Sequence, residues 1–258
     1  MKTESNISPT TKNLESGNEV LSIKNVFKSF GDNHVLSGLN LTLHKKENLV
    51  VLGRSGSGKS VLIKCVIGLI PIESGIIKVF GNDVTSLTRK QLDEMRTKVG
   101  FVFQGNALYD SMTVKENLEF ALKRLVKNIS RKNIEMLVDE MLENVSLPLT
   151  KNIMPAELSG GMKKRIGLAR TLIMKPEIML YDEPTTGLDP VTSKEISNLI
   201  LNIQDKYQTS SMIITHDISC AKITSNKIIT LINGINYAEG SYEELTRSED
   251  PLVKAFFK

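Results

Sequence analysis

The spacing of apolar positions along this chain changes several times, and each change marks an element. Short continuous apolar runs occupy Asn48 to Leu52, Val99 to Phe103, Ile178 to Asp182, Ser211 to Thr215 and Ile228 to Ile232. Runs of this length that do not alternate with polar residues predict strands buried on both faces. Val20 to Phe30, Asn40 to His44 and Gly75 to Phe80 read as further strands. Ser60 to Leu69, the charged stretch Arg89 to Arg96, and Gly160 to Met174, stopped by Pro176, read as helices. From Thr113 to Val145 the period is helical and strand signal is almost absent. There Ile134, Leu137, Val138, Met141, Leu142 and Val145 recur at spacings of three and four, with Ser130 placed to cap the helix.

Strands alternating with helices on either side of this stretch predict a mostly parallel sheet covered on both faces. The helical stretch is then a sub-domain inserted at about 106–160 into an α/β domain spanning 19–240. Residues 1–18 are rich in Ser, Thr, Asn and Lys, poor in large apolar residues, and expected to be a disordered tail. Residues 241–258 are expected to form a C-terminal helical tail.

Composition narrows the picture. The chain has 258 residues, 40% of them hydrophobic, enough for a substantial core, and a formal charge of only +4. No basic stripe interleaved with aromatics is present, so a nucleic-acid partner is not expected. Lysines facing anionic lipid head groups or a phosphate ligand would account for the basic excess equally well. Cys65 and Cys220 lack metal-ligand spacing and are expected to be reduced, buried thiols of a cytosolic protein. The N-terminus has no apolar stretch of the kind that opens a signal peptide. No apolar run reaches the ~18 residues of a membrane span. Val61 to Ile72 is interrupted by Lys64 and reads as a buried helix. Work at a membrane would go through a partner.

Four motifs carry chemistry. Gly53-Arg54-Ser55-Gly56-Ser57-Gly58-Lys59-Ser60 fits G-x-x-x-x-G-K-S between a strand and a helix. Its glycines let backbone N–H groups converge on phosphate oxygens, and the helix directs its positive end at the same anion. Lys59 can neutralise the β- and γ-phosphates, and the Ser60 hydroxyl can bind Mg²⁺. A flexible Gly/Ser turn is the plain alternative. Ile178 to Glu183 delivers two adjacent carboxylates at the C-terminal end of a strand, where α/β proteins bind ligands. Alternation gives Asp182 and Glu183 different headings, one for the metal and the other for general base; an acidic loop after a strand is the bland reading. Ser159-Gly160-Gly161, opening a helix, is either a second anion site or an ordinary N-cap. His216 follows an apolar strand and can hold the γ-phosphate and the attacking water as a neutral imidazole, or be a plain strand-end residue. The amide of Gln104 can reach Mg²⁺ or that water, but alone carries no assignment.

Together these residues resemble the nucleotide-binding domain of ABC transporters over about Val20 to Gly240. They fall in the family's order: Walker A at Gly53 to Ser60, the Q-loop at Gln104, the signature at Leu158 to Met162, Walker B at Ile178 to Glu183, the D-loop at Gly187-Leu188-Asp189 and the switch histidine at His216. The resemblance implies a RecA-like P-loop NTPase core with a mostly parallel sheet, an N-terminal antiparallel β part and the inserted helical sub-domain. It implies ATP and Mg²⁺ as cofactors. Lys59, Gln104, Glu183 and His216 serve catalysis, Ser60, Gln104 and Asp182 the metal, and Gly53 to Val61 the nucleotide. Phe30, in Lys28-Ser29-Phe30-Gly31, is implied to stack on adenine, with Phe27 as competitor. Ser159, Gly160, Gly161 and Asp189 are implied to contact nucleotide from a second copy, with ATP sandwiched between Walker A of one and the signature of the other. The helical insert is implied to dock an integral membrane permease, which places the chain peripherally on the cytoplasmic face of the inner membrane. Val61 stands where Thr often follows Ser60, Met162 replaces the common Gln of the signature, and Asn226 stands where Asp is usual.

The stretch Phe103 to Val114, the Met162 of the signature and the tail Asp250 to Phe257 are similar to the Mla-type phospholipid transport ATPases. That likeness implies a lipid-binding substrate protein in the complex. The tail is equally readable as an amphipathic helix packing Leu252, Val253, Phe256 and Phe257 on its own domain. Lys163, Lys164 and Arg165 are expected to be a solvated face of the signature helix. An amino-acid or lipoprotein transport ATPase is the alternative, and a non-transport ABC ATPase the more distant one.

Overall fold

The structure is a computed structural model that describes residues 18–105 and 107–258. All but the last residue of the expected tail lies outside the described residues, as does Asn106.

The chain opens with an antiparallel pair, β1 (Glu19–Phe30) and β2 (Asn33–His44), and then enters β3 (Asn48–Leu52) and α1 (Lys59–Val66). β4 (Ser74–Val79) and β5 (Asn82–Asp83) return to the side of β1, giving a four-stranded antiparallel sheet of order β2-β1-β4-β5. α2 (Arg89–Thr97) leads to β6 (Val99–Val102). α3 (Val114–Leu125), α4 (Arg131–Asn144) and α5 (Gly160–Leu172) follow before β7 (Ile178–Asp182). The chain continues through α6 (Pro190–Tyr207), β8 (Ser210–Thr215), α7 (Ile218–Thr224), β9 (Lys227–Ile232), β10 (Ile235–Gly240), α8 (Tyr242–Thr246) and α9 (Pro251–Lys254). The second sheet has the order β10-β9-β3-β8-β7-β6, parallel throughout except for β10.

Alternation in the parallel strands explains their unbroken apolar sequence. Leu49 and Val51 of β3, Ile178 and Leu180 of β7, and Met212 and Ile214 of β8 face a core shared with β1, β2 and α1. Val50 and Leu52, Met179 and Tyr181, and Ile213 face the opposite core, formed with α3 to α7. Both faces are covered, so a polar residue has no solvent to face until the strands end. The antiparallel and parallel sheets meet where Ser37 N–H donates to the Gly234 carbonyl at 2.9 Å.

Several elements differ from expectation. The strand expected at Asn40 begins at Asn33, because the polar residues Asn33 and His34 pair across the turn with Phe30 and Ser29. The periodic stretch Thr113 to Val145 is two helices, each with its own cap: Thr113 accepts from the Glu116 N–H and Ser130 from the Asn133 N–H. α1 stops at Val66, ahead of Gly68, whose φ is +65°. α6 and β10 carried no signal strong enough to be anticipated. The C-terminal segment is two short helices, with Val253 buried, Phe256 and Phe257 packed against the core, and Leu252 exposed.

Cys65 lies in α1 and Cys220 in α7, both buried, and burial pushes both thiols up to about 11. Both are therefore neutral thiols at pH 7, and the thiolate is the reactive form. A colorimetric thiol reagent is expected to label neither cysteine in the folded protein at pH 7 and both after denaturation.

Candidate functional site

β3 runs into a loop that turns back into α1, and two glycines give the loop its shape. Gly56 and Gly58 have φ of +79° and +92°, a conformation L-residues rarely adopt. Gly58 is also crowded: a Cβ there would lie 2.5 Å from Cγ1 of Val35 on β2. A Cβ on Gly53 would lie 2.4 Å from the Ser57 hydroxyl. The cap of α1 at Gly58 has no side-chain acceptor, so the positive end of the helix opens into the loop.

The charged side chains converge there. The Lys59 ammonium is buried and donates to the carbonyls of Gly53 at 2.8 Å and Arg54 at 3.0 Å, with Glu183 Oε1 at 3.2 Å. The Ser60 hydroxyl donates to Asp182 Oδ1 at 2.9 Å. Asp182 ends β7 on the α1 side; Glu183 follows with φ +51° and turns toward Lys59 and β8. His216 follows β8, and its Nδ1 lies 2.8 Å from Glu183 Oε2. Glu183 also accepts from the Thr186 hydroxyl at 3.2 Å. Burial raises the Asp182 carboxyl above its ordinary value and the adjacent Glu183 adds to this, while the Ser60 hydroxyl opposes it.

These residues fit a phosphate chain and a divalent cation. The Ser57 hydroxyl is buried in the loop without a hydrogen-bond partner, an atom that a phosphate oxygen would satisfy. A cavity of about 450 Å³ opens beside the loop, walled by Arg54, Ser55, Gly56 and Ser57, by His34 and Val35 of β2, and by Phe256. The hydroxyl of Ser60 and the carboxylate of Asp182 are hard oxygen donors of the kind Mg²⁺ takes.

Other expected residues lie apart from this cluster. Phe30 ends β1, half exposed, with the Lys28 ammonium 5.1 Å from its ring centre. The Phe27 ring instead lies against Gly38 of β2. Gln104 sits in a turn two residues past β6, and its side chain is exposed. Ser159 caps α5, accepting from the Met162 N–H, while Gly160 and Gly161 form the first turn. These signature residues line a cavity together with Gly187, Leu188 and Asp189, and no residue of the Gly53 to Ser60 loop lines it. The Asp189 carboxylate caps α6 through Val191, Thr192 and the Thr192 hydroxyl, and the Thr192 bonds hold its pKa below the usual range. Within one chain the loop and the signature are separate places.

Four residues carry structure that the motifs did not reveal. Thr185 donates to Asp217 at 2.8 Å, tying the segment after Glu183 to the cap of α7 beside His216. Thr186 reaches Glu183, as above. Their position directly after the paired carboxylates was the available signal. Lys164 corrects the expected solvated face: it is 7% exposed, and its Nζ donates to the Gln104 carbonyl at 2.5 Å. Burial lowers its pKa, with Asp182 and Glu183 opposing. Arg165 is also engaged, with the Val145 carbonyl at 3.2 Å and Glu195 at 2.8 Å.

Comparison with known proteins supplies the identity. The ABC transporter family matches residues 36–186, more than half of the chain. The probable ribonucleotide transport ATP-binding protein mkl of Mycobacterium leprae is 37% identical over 236 residues, covering 92% of this chain and 68% of that protein. The chloroplastic protein TRIGALACTOSYLDIACYLGLYCEROL 3 of Arabidopsis thaliana is 35% identical over 263 residues, covering 95% of this chain and 75% of that protein. The chain thus spans about two thirds to three quarters of the length of these relatives. A dimeric ATP-binding cassette solved in a post-hydrolysis state with ADP and Pi is similar in structure, with a TM-score of 0.78 and 30% identity over 86% of this chain and 98% of that one. With its phosphate loop, paired carboxylates and histidine brought together at the ends of β3, β7 and β8, the chain belongs to the ABC transporter family, as an ATP-binding subunit that hydrolyses ATP.

Proposed function

We propose that this subunit powers phospholipid transport between membranes through a separate integral permease, working as a dimer that closes on ATP. The observation that carries the dimer is the separation, within one chain, of the Gly53 to Ser60 loop from the Ser159 to Gly161 helix start. Each is half of an anion site, and a second copy supplies the other half.

In this reading the loop amides and Lys59 hold the β- and γ-phosphates, Arg54, Ser55, Ser57 and Val61 complete the cradle, and Phe30 stacks on adenine. Ser60, Asp182 and Gln104 hold Mg²⁺, which neutralises phosphate charge when bound. Glu183 takes the proton of the attacking water, and His216, held 2.8 Å from Glu183, orients the water and the γ-phosphate. Ser159, Gly160, Gly161 and Asp189 close over the partner's nucleotide. Lys59 and Glu183 hold each other at 3.2 Å, so ATP binding draws Lys59 onto phosphate and frees Glu183 for the water.

Support for a lipid cargo comes from Phe103 to Val114 and Met162, which resemble the Mla-type ATPases, and from similarity to a protein named for a diacylglycerol lipid. The mycobacterial relative is named for ribonucleotides, so cargo is the question to measure. Among the described residues no helix is long and apolar enough to cross a membrane. The permease supplies the span, docking at the helical sub-domain of 106–160 and the Gln104 turn and holding this chain on the cytoplasmic face. A lipid-binding substrate protein completes the assembly.

Glu183→Gln keeps the size and shape of the side chain but loses the base, so turnover should fall about 10²- to 10⁴-fold while ATP still binds. Steady-state hydrolysis with fluorescent-nucleotide titration checks this, and full turnover would remove Glu183 from the role. Saturating Mg²⁺–ATP, at roughly a hundred times its Kd, should stabilise the wild type by about 2.7 kcal/mol. Lys59→Ala should abolish that rise in the thermal midpoint. Affinity purification from membranes should recover an integral permease, and mass analysis of the complex should find phospholipid. A complex carrying an amino acid and no lipid would point to the alternative cargo.

A further inference from the structure

We propose that Lys164 is a positioning residue for Gln104, the link through which the signature helix sets the place of the Q-loop. The inference rests on the role for Gln104 given above. Lys164 stands four residues after Gly160, about 6 Å along α5 at 1.5 Å per residue. Its ammonium crosses to a residue sixty positions away in sequence and donates to the Gln104 carbonyl at 2.5 Å.

A lysine is an unfavourable residue to bury, since its charge loses water. A methionine or leucine would fill the same space on α5 at lower cost. What this position gains from the ammonium is a donor that reaches the Gln104 carbonyl and a charge facing Asp182 and Glu183. Gln104 needs such an anchor. It lies in a turn outside β6, is exposed and is followed by Gly105, whose added Cβ would meet nothing within 4 Å. The turn is therefore open, and neither sheet pairing nor core packing holds it. Lys164 fixes the backbone of Gln104, and the backbone fixes where the amide can reach. Because Ser159 to Gly161 begin the same helix, a shift of the signature carries the Gln104 turn with it.

The test is a double-mutant cycle on the full chain, with kcat and KM for Mg²⁺–ATP as readouts and the thermal midpoint as the folding control. Lys164→Met should lower kcat roughly ten- to a hundredfold, the range a charge-assisted hydrogen bond carries, with KM little changed. Lys164→Arg should recover most of the loss. In a Gln104→Ala background, Lys164→Met should cost nothing further, because the amide it positions is gone. An equal fold-loss in both backgrounds would overturn the link and leave Gln104 in place. Normal kcat in Lys164→Met, or an Arg variant as slow as the Met variant, would overturn it too. Normal turnover in Gln104→Ala would remove the role of Gln104 itself, and the link with it. If Lys164→Met does not fold, Lys164→Gln, which keeps a donor and drops the charge, runs the same cycle.

Discussion

The Lys59 ammonium is enclosed by two carbonyls of its own loop and by the Glu183 carboxylate, with 5% of the residue exposed. A charge so far from water holds only if its partners stay in place. Three elements must keep their positions for that: the loop after β3, the end of β7, and β8, whose Ile214 carbonyl takes the Glu183 N–H at 2.9 Å. The parallel register of β3, β8 and β7 sets these ends side by side. The two cores fix that register, because a one-residue slip would exchange the residues of one core for those of the other.

The same constraint explains why strain collects here. Glu183 has φ +51° directly after β7 ends, where the chain redirects a functional group, while Gly58 takes φ +92° at the cap of α1 without strain because it has no Cβ. Gly58 cannot be replaced without meeting Val35, so the antiparallel sheet presses on the phosphate loop from the side. The loop is held between two sheets rather than projected from one. Its N–H groups are thereby placed before any anion arrives, and little ordering remains for binding to supply.

Charge in the site is balanced but not neutralised pairwise. Asp182 and Glu183 face Lys59 and Lys164, with His216 at the edge. Burial raises the Asp182 carboxyl and lowers the Lys164 ammonium, working against the charged form of each, while Lys59 favours the charged Asp182 and the two carboxylates favour the charged Lys164. A cluster of this kind is costly in the resting chain and is relieved by a ligand that brings its own charges, as a nucleotide with a divalent cation does.

The residues gathered at the ends of β3 and β7 could be picked out in the amino-acid sequence because their motifs are local. Gly53 to Ser60, Ile178 to Glu183 and Ser159 to Gly161 each owe their meaning to spacing within a few residues and to one flanking element. The buried strands were legible for a similar reason, since two covered faces leave no polar alternation. What the tertiary structure alone decided was which ends meet. The polar start of β2 becomes strand only because β1 lies beside it. α6 is capped by Asp189, a residue that already had another reading. Lys164, between Lys163 and Arg165, has the pattern of a solvated helix face, and only the turn after β6 closing over α5 turns it into a buried donor. Helical periodicity records which face of α5 is apolar, but it holds no information about a carbonyl sixty residues away. Sequence therefore determined the parts, and packing determined which charges have to share one buried place.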